Sequence, residues 1–301
     1  MRIFFKIAFI FVLLTGNAHA EKRALTIGVD RYESLPILQK ATGDAQALAE
    51  QLRASGYQAT QLSDVGREAF LQEWSIFLQQ IRPGDEVAFF FAGHGMEIDG
   101  LNYVLAADAP TAEPGEHGER FIRDSAIEVR LLLAELRERK PLISLVILDA
   151  CRNNPYAAKG RRGIGGTRGL ARMEPPEGAF VMYSAGVGEE ALDRLSDADR
   201  EPVSVYMRHL LPLLRAPRLR IQDVALQVRD DVRAVAAQVR HAQNPAYYDE
   251  LRGAFCFAGC AASAATKVLA VNGAPKPVSQ APVPNECLSE NPKLYCFFKE
   301  R

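Results

Sequence analysis

Apolar runs bounded by charged or glycine-containing stretches recur along the chain, with helix-period segments between them. Ala24 to Val29 (ALTIGV), Glu86 to Ala92 (EVAFFFA), Leu142 to Leu148 (LISLVIL) and Ala179 to Tyr183 (AFVMY) have the length and the β-branched or aromatic content of buried strands, and Tyr57 to Leu62 is a further strand candidate. Ala41 to Ser55 carries Ala45, Leu48, Ala49 and Leu52 at helical spacing. Other helices are expected around Arg67 to Gln80, Ser125 to Arg137, Pro202 to Leu214 and Ile221 to Val239, and Arg252 to Phe257 (RGAFCF) is expected to close the domain as a last strand. Strands that alternate with helices and are apolar on both faces predict an α/β fold, a mostly parallel central sheet with helices on both faces. In such sheets chemistry collects beyond the carboxyl ends of the strands.

The amino terminus, MRIFFKIAFIFVLLTGNAHA, sets Arg2 and Lys6 ahead of an apolar run from Ile7 to Leu14 and ends Ala18-His19-Ala20. That is the layout of a cleavable secretory signal over residues 1–20, too short in its apolar core for a membrane anchor. Cleavage removes two positive charges and no negative ones, so the net charge of −1 becomes −3 and the mature chain starts at Glu21 in a periplasm or outside the cell. That balance carries no footprint of nucleic acid or of a membrane surface. The remaining residues suit a domain over 22–259, an Ala/Pro-rich linker over 260–286 and a short Cys-containing tail over 287–301.

Of five cysteines, Cys256, Cys260, Cys287 and Cys296 lie in the last 46 residues. In an exported chain they predict two disulfides, with three pairings open. Zinc on Cys256-x-x-x-Cys260 is the other use of such spacing, but no histidine stands nearby. Cys151 is left unpaired.

That thiol follows LISLVIL in Asp149-Ala150-Cys151-Arg152, and Gly93-His94-Gly95 follows EVAFFFA. If the two strands are parallel neighbours, a thiol and an imidazole meet at their ends. Cysteine attack needs the ionised sulfur, which an imidazole provides by taking the proton and can repay by protonating an amine leaving group. Backbone N–H groups of Gly95 and Cys151 are candidate donors to the developing oxyanion. Taken singly, a lone cysteine is usually a buried apolar residue and a lone histidine a satisfied one; together, at two strand ends, they point to a site.

The pair His-Gly and Asp-x-Cys, with Cys151 57 positions after His94, resembles the caspase-like cysteine peptidases, and DACRNNP is similar to their bacterial metacaspase-like branch. IGVDRY, Thr42-Gly43-Asp44-Ala45 and Tyr183-Ser184-Ala185-Gly186 also match, so the resemblance covers Lys22 to Gly259. It implies a three-layer caspase-like sandwich, His94 as general base and acid, Cys151 as nucleophile and Gly95 as oxyanion donor. Asp149 stands where animal caspases have glutamine, and by analogy with metacaspases it implies a pocket for arginine or lysine at P1, the substrate residue before the scissile bond. Asp30 is a candidate second acid and Ser184 a candidate wall of that pocket, while Lys40 lies near the place of the pocket arginine of animal caspases.

The glycine-rich cationic stretch after the thiol offers Lys159, Arg161, Arg162 and Arg168 as candidate self-cleavage points. No cofactor is required. Calcium, an activator of many metacaspases, has one candidate cluster in Asp193, Asp197 and Asp199, which lacks the order of an EF-hand loop and reads more simply as solvated. His117, His209 and His241 have no evident partner, and Trp74 is expected in the core. The partner is a peptide or protein substrate, and the oligomeric state is left open. Two rivals stand beside the endopeptidase: a silent caspase-fold module that binds a peptide or partner, and a cysteine hydrolase or transpeptidase acting on cell-wall peptides.

Overall fold

The structure, a computed structural model, describes residues 20–112, 116–151 and 175–260, with the backbone alone for Cys151. The signal segment 1–19, Arg152, the candidate cleavage points Lys159, Arg161, Arg162 and Arg168, and Cys287 and Cys296 lie outside the described residues. The chain divides after Ala261, and the second unit, Ala262–Arg301, also lies outside them.

The elements run β1 (Lys22–Gly28), α1 (Ala41–Ala54), β2 (Gln58–Ser63), α2 (Arg67–Gln80), β3 (Glu86–Ile98), β4 (Leu101–Val104), α3 (Glu116–Ser125), β5 (Ile127–Glu128), α4 (Val129–Glu138), β6 (Ile143–Cys151), β7 (Ala179–Tyr183), α5 (Val205–Arg215), α6 (Ile221–Gln238) and β8 (Ala246–Asp249). The sheet order is β2-β1-β3-β6-β7-β8. Every pairing in that row is parallel except β7 with β8. The expected α/β architecture, a mostly parallel sheet between two helical layers, is therefore the observed one.

The continuous apolar runs follow from coverage on both faces. Along β3, Phe89 and Phe91 pack with Phe70, Trp74 and Leu132 of α2 and α4, whereas Ala88 and Phe90 pack with Leu48, Tyr206 and Val228 of α1, α5 and α6. Trp74 is in the core as expected, its indole N–H donating to Glu135 Oε2 at 2.6 Å. Each such buried side chain contributes about 1.5–3 kcal/mol relative to exposure.

Three expectations need correction. RGAFCF is not a strand: the closing strand is β8, and Phe255 and Phe257 are buried beside Tyr57 from an irregular segment. The apolar run reflects core packing, and the segment ends in a turn closed by a Cys256–Cys260 disulfide. That disulfide also removes the zinc alternative, since both sulfurs are spent on each other. His94 does not sit at the end of its strand, because β3 continues to Ile98 by leaving the parallel sheet and pairing antiparallel with β4. The helix expected over Ser125 to Arg137 is interrupted by the two-residue β5, which pairs with β4.

Candidate active site

β3 and β6 are parallel neighbours from Glu86↔Ile143 onward, and the last register pair is His94↔Cys151. Adjacent strands lie about 4.8 Å apart, so the two backbone positions stand side by side at the sheet's rim.

His94 is held from three directions. Its ring Nε2 lies 2.7 Å from the Pro36 carbonyl oxygen. A carbonyl only accepts, so Nε2 carries the proton and Nδ1 presents a lone pair. Nδ1 is buried and has no hydrogen-bond partner among the described residues. Burial holds the pKa of this imidazole below its usual range, against the upward pull of the Pro36 carbonyl. Burial thus favours the neutral ring, with Nδ1 unpartnered among the described residues and the Pro36 carbonyl fixing the orientation of the imidazole.

The backbone of His94 is fixed by Tyr32. His94 and Leu105 are opposed across the antiparallel turn-back of β3, with Leu105 N–H donating to the His94 carbonyl at 3.0 Å. The reciprocal rung is absent. Instead His94 N–H donates to the Tyr32 hydroxyl at 2.7 Å, and that hydroxyl donates to the Leu105 carbonyl at 3.1 Å. The Tyr32 ring also tilts against the imidazole with centroids 4.5 Å apart. Gly93 makes room for this, since a Cβ there would lie 2.6 Å from the Tyr32 hydroxyl. Tyr32→Phe would leave a buried N–H and carbonyl unpaired, and we expect it to cost about 1–3 kcal/mol, read as a lower urea midpoint with unchanged slope.

Gly95 faces the thiol's strand. The carbonyls of Ala92 and His94 accept from Val29 and Leu105 on one side of β3, so strand alternation turns Gly93 and Gly95 toward β6. In this register that edge is engaged with β6 as far as Cys151. An oxyanion role for Gly95 requires the last rung of that ladder to open.

Two residues before the thiol, Asp149 enters a narrow acidic recess lined also by Asp44, Asp193, Ser204, Leu38 and Leu192. Ser204 ties it together: its N–H donates to Asp44 Oδ1 at 2.8 Å, and its hydroxyl donates to Asp149 Oδ2 at 2.8 Å. The same hydroxyl caps α5 by accepting from Met207 N–H. Burial pushes both carboxyls up, Asp44 most, with repulsion from Asp149 adding to it. Asp193 is pushed up to about 6 by burial and by the charges of Asp30 and Asp149, against Lys40 and Arg194.

The other expected residues are placed as follows. Ser184 adjoins Asp149 closely enough to favour its charged form, although its hydroxyl meets no hydrogen-bond geometry with a described atom. Asp30 uses its oxygens to hold the start of α1, accepting from Ala41 N–H at 2.9 Å, Thr42 N–H at 3.1 Å and the Thr42 hydroxyl. It acts on the recess through its charge. Lys40 is buried, with its ammonium on the Glu201 carbonyl.

The Asp193, Asp197 and Asp199 cluster disperses. Asp197 pairs with Arg194 at 2.9 Å. Burial alone would raise Asp199, but bonds from Leu195, Arg208 and Glu201 bring it down to about 2. His241, left without a partner in the sequence, bonds the Glu190 carbonyl through its ring at 2.7 Å.

Sequence reasoning missed Pro36, the role of Tyr32, and the place of Asp44 and Asp193 in the recess, Asp193 being legible only as part of a calcium candidate cluster. Asp44 was visible only as part of the Thr-Gly-Asp-Ala match, and nothing local marks a proline whose carbonyl reaches a ring 58 positions away.

The family model for the caspase domain, peptidase C14, matches residues 21–256. The human mucosa-associated lymphoid tissue lymphoma translocation protein 1 is 26% identical over 137 residues, which is 45% of this chain and 16% of that protein. Its mouse homolog is 26% identical over 144 residues, 47% of this chain and 16% of the relative. The chain thus spans 16% of the length of either. With the sheet order above and a family match over the larger part of its 301 residues, the chain belongs to the caspase family of peptidases.

Proposed function

We propose that the protein is an exported cysteine endopeptidase that cleaves after arginine or lysine by a His94–Cys151 dyad. The observation that carries it is the register pair His94↔Cys151 directly beside a recess holding Asp44, Asp149 and Asp193. Nδ1 of His94 takes the thiol proton, and the thiolate attacks the scissile carbonyl. The imidazolium then protonates the leaving amine, and the same nitrogen activates water to hydrolyse the acyl-enzyme. Gly95 and Cys151 N–H groups hold the oxyanion once they turn from the ladder to the substrate. A guanidinium, with five fixed donors, suits a recess of convergent carboxyls better than any neutral side chain does.

Export is supported by the layout of residues 1–20 and by the Cys256–Cys260 disulfide, which belongs in an oxidising compartment. Among the described residues no helix is long and apolar enough to cross a membrane. Calcium remains a candidate activator without a ligand set among the described residues.

Fluorogenic peptides carrying arginine, lysine or aspartate at P1, with and without calcium, test the reading. Turnover of the arginine and lysine peptides alone is expected, accompanied by nicking of the purified chain within 159–168. An intact chain under conditions where peptides are hydrolysed would remove self-processing. Silence toward every peptide, with peptide binding retained, would favour the binding module, and cleavage confined to cell-wall peptides would favour the hydrolase or transpeptidase.

A further inference from the structure

We propose that a cationic side chain entering the recess displaces a proton held between Asp44 and Asp149, so that substrate binding and proton release are one step. The inference rests on the arginine or lysine reading above and adds to it how the recess is charged when empty.

Asp44, on α1, is 2% exposed and Asp149, on β6, is 6% exposed. They straddle one residue, Ser204, whose N–H serves the first and whose hydroxyl serves the second. Ser204 thus brings two dry carboxyl groups together, and like charges so placed favour holding one proton over ionising both. Neither is ion-paired among the described residues.

The groups around them do not supply the missing positive charge. Asp193 faces them from the loop after β7, and Asp30 lies behind the start of α1. From α5 the Tyr206 phenol is buried, raised by burial and then by the Asp149 charge. Ser184, after β7, brings only a hydroxyl. The buried ammonium of Lys40 is committed to the Glu201 carbonyl, and Arg194 to Gln39 and Asp197. Four carboxyl groups therefore stand around one buried ammonium, and like charges this close and this dry do not all ionise.

A bound guanidinium or ammonium reverses that balance. With the cation in place both carboxyls ionise, the proton of Asp44 passes to solvent, and one positive charge enters as another leaves. Linkage then fixes the sign: where one proton is released on binding, affinity rises about tenfold per pH unit. A neutral P1 side chain gains nothing from the second carboxyl, so the same device sharpens selection for a cation.

The test uses the full chain carrying Cys151→Ala, titrated calorimetrically at pH 8 with an arginine-containing peptide in phosphate and in Tris, buffers of very different ionisation enthalpy. At that pH Asp193, whose carboxyl is pushed up to about 6, is already ionised and contributes no proton. A binding enthalpy that differs between buffers by the equivalent of about one proton released is expected. Adding Asp44→Asn, which mimics the protonated carboxyl, should abolish that difference and weaken binding about tenfold or more. Equal enthalpies in the two buffers, with binding intact, would overturn the inference and leave the arginine reading standing. So would undiminished proton release in the Asp44→Asn chain. Binding of an aspartate peptide in place of the arginine peptide would overturn both.

Discussion

Replacing Cys151 by alanine is expected to abolish hydrolysis of arginine and lysine peptides, and His94→Ala to do so almost as completely. On the proposed mechanism the two groups act as one unit, the sulfur being reactive only as far as the imidazole takes its proton. Each loss should therefore lower kcat/KM by at least about 10⁴-fold, and the double variant should be little worse than either single one. Structure sharpens the expectation for His94. Its Nε2 is spent on the Pro36 carbonyl and its Nδ1 has no partner among the described residues, so the proposed proton transfer would need no change of tautomer. Steady-state kinetics on both variants, with far-ultraviolet circular dichroism to show the fold retained, decide the matter. Hydrolysis that survives in Cys151→Ala would end the dyad mechanism.

Asp149→Asn is expected to have the second largest effect, on recognition. Asparagine keeps the shape of the side chain and can still accept from the Ser204 hydroxyl, so the recess should keep its form. What is lost is a buried charge opposite the substrate's cation, a change that costs about 2–5 kcal/mol in comparable pairs. That corresponds to a fall of about 30-fold to several thousandfold in kcat/KM for arginine peptides. Alkylation of Cys151 by iodoacetamide should stay within a few-fold of the wild-type rate, since the imidazole is untouched. Unchanged arginine hydrolysis would place P1 recognition elsewhere.

The strands that carry the site were legible because they are buried on both faces. Phe89, Phe90 and Phe91 leave no polar alternation to misread, and Leu145 to Leu148 behave likewise. The candidate residues His94 and Cys151 were legible as neighbours because each lies on such a strand. What stayed hidden was brought in from far along the chain. Ser204 joins Asp44 and Asp149 across 160 and 55 positions, and each contact depends on helix placement that no local pattern encodes. Misreadings had a common cause too. RGAFCF and the Ser125 to Arg137 segment are apolar because they pack, and packing alone does not distinguish a strand from a tethered loop, or one helix from two elements.

Residues 30 to 40 deserve one last consequence. From this single crossover come the carboxylate that anchors α1, the hydroxyl wedged between His94 and Leu105, the carbonyl that aims the imidazole, and the buried ammonium near the recess. On the proposed function, reactivity and selectivity are thus wired to the same eleven-residue stretch of chain. Mutational drift there cannot retune one without disturbing the other, so laboratory evolution toward a new P1 preference should succeed more readily from the far wall, at Ala191 to Asp193, than from this one.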